Sequence, residues 1–172
     1  ANSLVNLGIA YYTSGNMEKA IEQYERALEI SHEIGSKRGE SSSFGSLGIV
    51  YYSLGDMGKA IEYYEKALKI AQEIGDRSNE WVWLGNIGIA YYAKSEIKKA
   101  MVYYRKALKI AQEIGDVHGE GSCINSLGVA FEYEKKHEEA LACFLQAKDR
   151  HDQIKDQHFE NSLSNLKKLK KE

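Results

Sequence analysis

The chain has 172 residues, 43% of them hydrophobic, and its 23 basic and 25 acidic residues give a formal charge of −2. This composition supports a compact domain with a continuous core and argues against disorder. It provides no broad positive field for nucleic acid, and no apolar run approaches the roughly 20 residues that span a bilayer. Cys123 and Cys143 form no Cys-x-x-Cys pair, which favours a reducing, cytoplasmic location.

The sequence repeats every forty residues without a gap. KALKIAQEIGD occupies residues 66–76 and 106–116, and ALEISHEIGS at 27–36 is a looser copy. Small residues share columns, as at Gly8, Gly48, Gly88, Gly128 and at Ala20, Ala60, Ala100, Ala140. Large residues share others, as at Tyr11, Tyr51, Tyr91, Phe131 and at Tyr24, Tyr64, Tyr104, Phe144. This periodicity indicates repeats at 1–40, 41–80, 81–120 and 121–155, followed by 156–172.

Each repeat is predicted to form two amphipathic helices. Apolar and small residues recur at helical spacing in both halves of a repeat. Short polar breaks separate the halves, SGN at 14–16 and LGD at 54–56, where glycine ends one helix and Asn16 or Asp56 caps the next. A single hairpin cannot bury both of its faces, so successive hairpins are expected to stack into a solenoid.

These columns resemble the tetratricopeptide repeat, because Leu7-Gly8, Tyr11, Ala20, Tyr24 and Ala27 match the family pattern in all four rows, over residues 1–150. The resemblance implies an all-α, right-handed α-solenoid superhelix of four helical hairpins. The closing proline of the pattern is replaced by His32, Gln72 and Gln112. The second helix is therefore expected to continue to Gly35, Gly75 and Gly115, similar to the longer-repeat class of spindle-orientation scaffold proteins.

The two ends of the chain depart from the repeat. An apolar stripe of Phe159, Leu163, Leu166 and Leu169 predicts a C-terminal capping helix within 156–172. The chain begins at Ala1, already inside the pattern, so we expect a fragment of a longer protein. Ser36, Asp76 and Asp116 are expected to start the following repeats, with Glu40, Glu80 and Glu120 near helix N-termini.

In the family, the first helix of each hairpin lines the concave surface. Carried over residue by residue, this predicts partner-binding residues on all four first helices. They are Val5, Asn6, Ile9, Tyr12, Gly45, Ser46, Ile49, Tyr52, Val82, Gly85, Asn86, Ile89, Tyr92, Asn125, Val129 and Tyr133.

Several of these residues allow two interpretations. Tyr12, Tyr52 and Tyr92 are either contact anchors or covers for the helix in front. Gly45 and Gly85 either permit close helix contact or form a pocket. Asparagines at positions 6 and 86 are suited to holding a peptide main chain, although serines at 46 and 126 interrupt the series. Trp83 is expected to wedge between repeats.

The favoured function is a non-catalytic scaffold that binds an extended peptide or partner helix. Alternatives are self-assembly, with a homo-oligomer formed through the uncapped N-terminal face, and a peptide-sensing regulatory domain. No catalytic, phosphate-binding or zinc motif occurs, so no enzyme, metal or cofactor is expected, nor a nucleic-acid or membrane partner. The predicted surface carries no lysine or arginine, which disfavours capture of a C-terminal carboxylate there.

Overall fold

The computed structural model describes residues 2–154, which contain eight α-helices and no strand. Breaks of two or three residues separate the helices. The helices are α1 Asn2–Thr13, α2 Met17–Glu33, α3 Lys37–Ser53, α4 Met57–Glu73, α5 Arg77–Ala93, α6 Ile97–Ile114, α7 Val117–Tyr133 and α8 His137–Ile154. The predicted capping helix at 156–172 lies outside the described residues.

Glycines and side-chain caps define the helix boundaries. Gly15 has φ of 81° after α1, a left-handed conformation that glycine adopts at little cost. The Asn16 side chain then accepts a hydrogen bond from the Lys19 N–H at 3.1 Å. The arrangement recurs at Gly55 and Asp56, so the predicted breaks at 14–16 and 54–56 are confirmed.

The predicted extension of the second helices is also confirmed. Three glycines with φ near 70° follow helices that continue past the position of the family's proline, namely Gly35, Gly75 and Gly115. The residue after each glycine caps the next helix. Its side chain accepts a hydrogen bond from the backbone N–H three residues later, as at Ser36, Asp76 and Asp116. The longer second helix therefore accounts for the forty-residue period.

The glycine column marks the place where the two helices of a hairpin meet. A Cβ added to Gly48 would lie 2.5 Å from the Tyr64 ring, closer than van der Waals contact permits. The same relation joins Gly8 to Tyr24 and Gly128 to Phe144. An aromatic ring on the second helix thus occupies the space that a side chain on the first helix would fill.

The chain divides into two compact units at Ala90 and Tyr91. The first unit has a core cluster from α2 and α3, and the second has one from α6 and α7. The first cluster contains Ala20, Tyr24, Leu47 and Val50, and the second contains Ile97, Ala100, Met101, Tyr104, Leu127 and Ala130.

A buried glutamate lies in the first turn of α3, α5 and α7. Glu40 is 5% exposed, and its carboxylate accepts hydrogen bonds from Lys37 Nζ at 2.9 Å and from His32 Nδ1 at 3.3 Å. Glu80 is bonded to Arg77. The sequence predicted that these glutamates lie near the positive N-terminal ends of helices. In the structure, basic side chains also pair with Glu40 and Glu80.

Replacing Glu40 by glutamine should reduce stability in a pH-dependent way. The Lys37 hydrogen bond holds the Glu40 pKa below its usual value of 4.5. A lowered folded-state pKa contributes stability above the unfolded pKa, and this stability is lost as pH falls through the folded pKa. Glu40→Gln should therefore lower the free energy of unfolding by about 1 kcal/mol at pH 7 and by less near pH 3.

Urea unfolding followed by circular dichroism at both pH values measures this difference. Glu73→Gln, at an exposed position in α4, is the control and should change little. An equal loss for Glu40→Gln at both pH values would contradict the ionic contribution.

Candidate partner-binding surface

The first unit presents a line of exposed isoleucines on its first helices. Ile9, Ile49 and Ile89 are 48%, 37% and 39% exposed. Helix α1 packs against α3, and a hydrogen bond from Trp83 Nε1 to Ser41 Oγ joins α5 to α3. Because the isoleucines hold equivalent positions on these neighbouring helices, they share one side of the unit. We call Ile9, Ile49 and Ile89 the isoleucine face.

The predicted tyrosine Tyr12 has a packing role. It is half-buried against the core cluster that includes Tyr24 and Leu47. Its hydroxyl lies 2.8 Å from Ser53 Oγ, so it connects α1 to α3. Tyr52 is also half-buried. At Tyr12, the structure matches the interpretation in which the ring covers the helix in front.

Trp83 explains the mid-helix glycine of α3. A Cβ on Gly45 would overlap the Trp83 ring, which is buried and stacks against Tyr64 with centroids 6.3 Å apart. Of the two interpretations for Gly45, the structure shows close helix contact, with Trp83 wedged between α3 and α4 as predicted. Gly85 differs, since a Cβ there would meet no atom within 4 Å among the described residues.

A polar cavity of about 550 Å³ lies among α1, the end of α2 and the start of α3. The described residues that line it are Val5, Asn6, Ser31, Ser36, Arg38, Gly39 and Ser42. Only Val5 and Asn6 belong to the predicted site. Sequence reasoning missed Ser31 and Arg38, although both depart from the residues that the other repeats carry in these columns.

In the second unit, the structure brings Tyr92 and Tyr133 together. Their rings meet edge to face, with centroids 5.9 Å apart at 72°. Burial raises the Tyr92 pKa, with a further contribution from Glu132, so the phenol is neutral at physiological pH. Val129 is half-buried against the cluster formed by Ala140 and Phe144, and is less available than the isoleucines of the first unit.

The cysteines and helices of the described region add two findings. Both cysteines are free, and burial raises the pKa of the Cys123 thiol to about 12, which keeps it protonated and poorly nucleophilic. Within residues 2–154, no helix has the length and apolar character needed to traverse a bilayer.

Comparison with known proteins identifies the repeat. A sequence model described as tetratricopeptide repeat matches residues 1–73 and 79–153. No curated protein sequence matches the chain.

Solved structures share the fold. BtubC (BKLC) from P. vanneervenii is 26% identical with a TM-score of 0.79, covering 88% of this chain and 63% of that chain. Aspartyl phosphate phosphatase F from Bacillus subtilis is 17% identical with a TM-score of 0.89, covering 97% and 43%. A Rap protein complexed with competence and sporulation factor is 16% identical with a TM-score of 0.82, covering 96% and 47%.

The chain spans less than two thirds of the length of each of these structures. The all-α solenoid fold of tetratricopeptide hairpins, predicted from the sequence, is confirmed by the family match and by these structures.

Alanine at the two mid-helix glycines should have opposite effects. Gly45→Ala should lower the free energy of unfolding by roughly 1–3 kcal/mol, because the methyl group overlaps Trp83. Gly85→Ala should raise it by up to about 1 kcal/mol, because alanine favours the helix and the space is open. Urea unfolding measures both, and equal effects would contradict the packing assigned to Gly45.

A double variant isolates the contact. In a Trp83→Leu background the ring is absent, so the Gly45→Ala substitution should cost little. A cost that persists in that background would place the conflict elsewhere than at Trp83.

Proposed function

The chain belongs to the tetratricopeptide repeat family, and we propose that it is a non-catalytic scaffold that binds an extended peptide or partner helix on its first helices. Protein interaction is typical of this family. The observation that carries the proposal is the isoleucine face, because a line of exposed apolar side chains is characteristic of interaction surfaces.

The isoleucines alone do not account for stable binding. Each is about two fifths exposed, so its complete burial contributes roughly 1 kcal/mol. Three such contributions fall below the estimated 4–15 kcal/mol lost in translational and rotational freedom on association. The partner must therefore also contact neighbouring polar and aromatic groups.

Asparagines supply suitable polar groups in the first unit. Asn6 is exposed and Asn86 is half-buried, on α1 and α5. A side-chain amide both donates and accepts hydrogen bonds, which matches the N–H and C=O of an extended main chain. The Rap protein complexed with competence and sporulation factor supports a bound partner by likeness of fold.

The proposal also includes a location in the cell and an alternative, regulatory role. Free cysteines support a cytoplasmic location. A peptide-sensing regulatory role would use the same surface, with binding transmitted to an attached domain.

Asparagine at two isoleucines should weaken peptide binding. Peptides selected on the wild-type chain from a random display library provide the probe, and fluorescence anisotropy measures their affinity. Ile49→Asn with Ile89→Asn removes about 2 kcal/mol of apolar contact, which corresponds to roughly thirtyfold weaker binding. Both positions are exposed, so the fold should be retained.

The matched control is Leu54→Asn with Ile74→Asn. These residues are also exposed, but they lie at the C-terminal ends of α3 and α4. The control should bind as the wild type does. Equal loss in both double variants, or none in either, would contradict binding at the isoleucine face.

Self-assembly is a second candidate, favoured by one observation on α1. Leu7 is 42% exposed, whereas its equivalent Leu47 is fully buried. Ala10 is likewise exposed where Val50 is buried. No described helix covers this side of α1, which is available either to a second copy or to a preceding helix of a longer chain.

A lysine at Leu7 tests self-assembly. If a second copy covers α1, the wild type should sediment as an oligomer at high concentration and Leu7→Lys as a monomer, because an unpaired charge is costly to bury. Leu145→Lys, at an exposed leucine of α8, should leave the wild-type state unchanged. A monomeric wild type at all concentrations would refute this candidate.

A further inference from the structure

The polar cavity of the first unit is not lined by Ile9, Ile49 or Ile89. Its volume of about 550 Å³ is within the range of small-molecule pockets. Among the described residues, its lining combines hydroxyl, amide and guanidinium groups with one apolar side chain, Val5, and includes no acidic residue. This chemistry suits a polar or negatively charged group.

Ser31 gives independent support for a ligand. Its side chain is fully buried, and its hydroxyl has no hydrogen-bond partner among the described residues. A Cβ on Gly39 would lie 2.5 Å from Ser31 Oγ, so the hydroxyl rests against another lining residue. The equivalent Ala71 and Ala111 are also fully buried. Packing therefore does not require a hydroxyl here, and leaving one unpaired costs about 1–3 kcal/mol.

Two further departures from the repeat make the cavity less negative. Ser36 stands where the other repeats have Asp76 and Asp116, which removes a carboxylate. Arg38 stands in a column that holds Ser78 in the next repeat. With the N-terminus of α3 also at this site, all three features favour an anion.

The nearby carboxylates limit the charge that the cavity can accept. Arg38 Nε donates to Asp76 Oδ2 at 2.9 Å, which leaves the other guanidinium N–H groups as donors. Glu40 lies in the same turn, but its carboxylate is bonded to Lys37 and does not line the cavity. A single, partly compensated cation matches a monoanion better than a dianionic phosphate.

We propose that this cavity binds a carboxylate group, with Arg38, Ser31 and Ser42 as its polar contacts and Val5 against the attached carbon chain. The carboxylate comes either from a free small acid or from an acidic side chain of a peptide. The site extends beyond the proposed isoleucine face and does not require it, although Val5 and Asn6 border both.

The test is a nuclear magnetic resonance titration of the ¹⁵N-labelled chain. The probes are N-acetylglutamate N-methylamide, its glutamine analogue and acetate. The glutamate probe should shift the amide signals of Gly39 and Ser42 with Kd of about 1 mM, and the glutamine analogue should not. Acetate of equal affinity identifies a free acid as the source, and preference for the glutamate probe identifies a peptide side chain.

Three variants separate binding from a merely structural role. Arg38→Gln should weaken binding about tenfold, and Ser31→Ala about fivefold. Asp76→Asn should strengthen binding, because it removes the competing carboxylate while asparagine still caps α5. Ile49→Asn should bind the probe normally, so failure of the isoleucine face is distinguishable.

Equal shifts with the glutamate and glutamine probes, or no shift with any probe, would overturn the proposal. So would unchanged affinity in both Arg38→Gln and Asp76→Asn. If both variants lose binding equally, the ion pair is structural and the carboxylate assignment is wrong.

Discussion

The contact between a glycine on the first helix and an aromatic ring on the second determines the form of three described hairpins, α1–α2, α3–α4 and α7–α8. At Gly48 and Tyr64, the helix backbones approach so closely that a methyl group would overlap the ring. This contact uses one side of the first helix and leaves an adjacent side to residues such as Ile49. A surface with little part in the core is therefore a consequence of how the hairpin closes.

Helix positions were predictable because their signals are local. Glycine ends and polar caps act within a few residues, so Asn16 and Gly35 could be assigned from the sequence alone. Ser95 and Lys135 adopt φ of 59° and 60° at breaks where Gly15 occupies the first repeat. Serine and lysine do not signal this conformation in the sequence. The structure holds it nevertheless, because the packing of adjacent helices outweighs a strain of about 1 kcal/mol.

The candidate site was only partly predictable, because its details depend on pairings distant in sequence. Nothing around Gly45 indicates that Trp83, in the next repeat, fills its space. The cavity was missed for a related reason. Ser31 lies in the last turn of a second helix, outside the first-helix surface that the family resemblance emphasises. Only the turn at Gly35 brings it beside Asn6 and Ser42.

Repetition allows one repeat to carry an unfavourable feature. In a solenoid each repeat contacts mainly its neighbours, so the cost of a substitution stays local while other repeats supply stability. The identical segments at 66–76 and 106–116 show the residues that two successive repeats share. In the first repeat, Ser31 and Ser36 differ from these shared residues. Ser31 has an unpaired buried hydroxyl, and Ser36 removes a carboxylate from the same cavity. In this chain, a repeat that deviates from the others is therefore a second place to seek function, besides the isoleucine face that the repeats share.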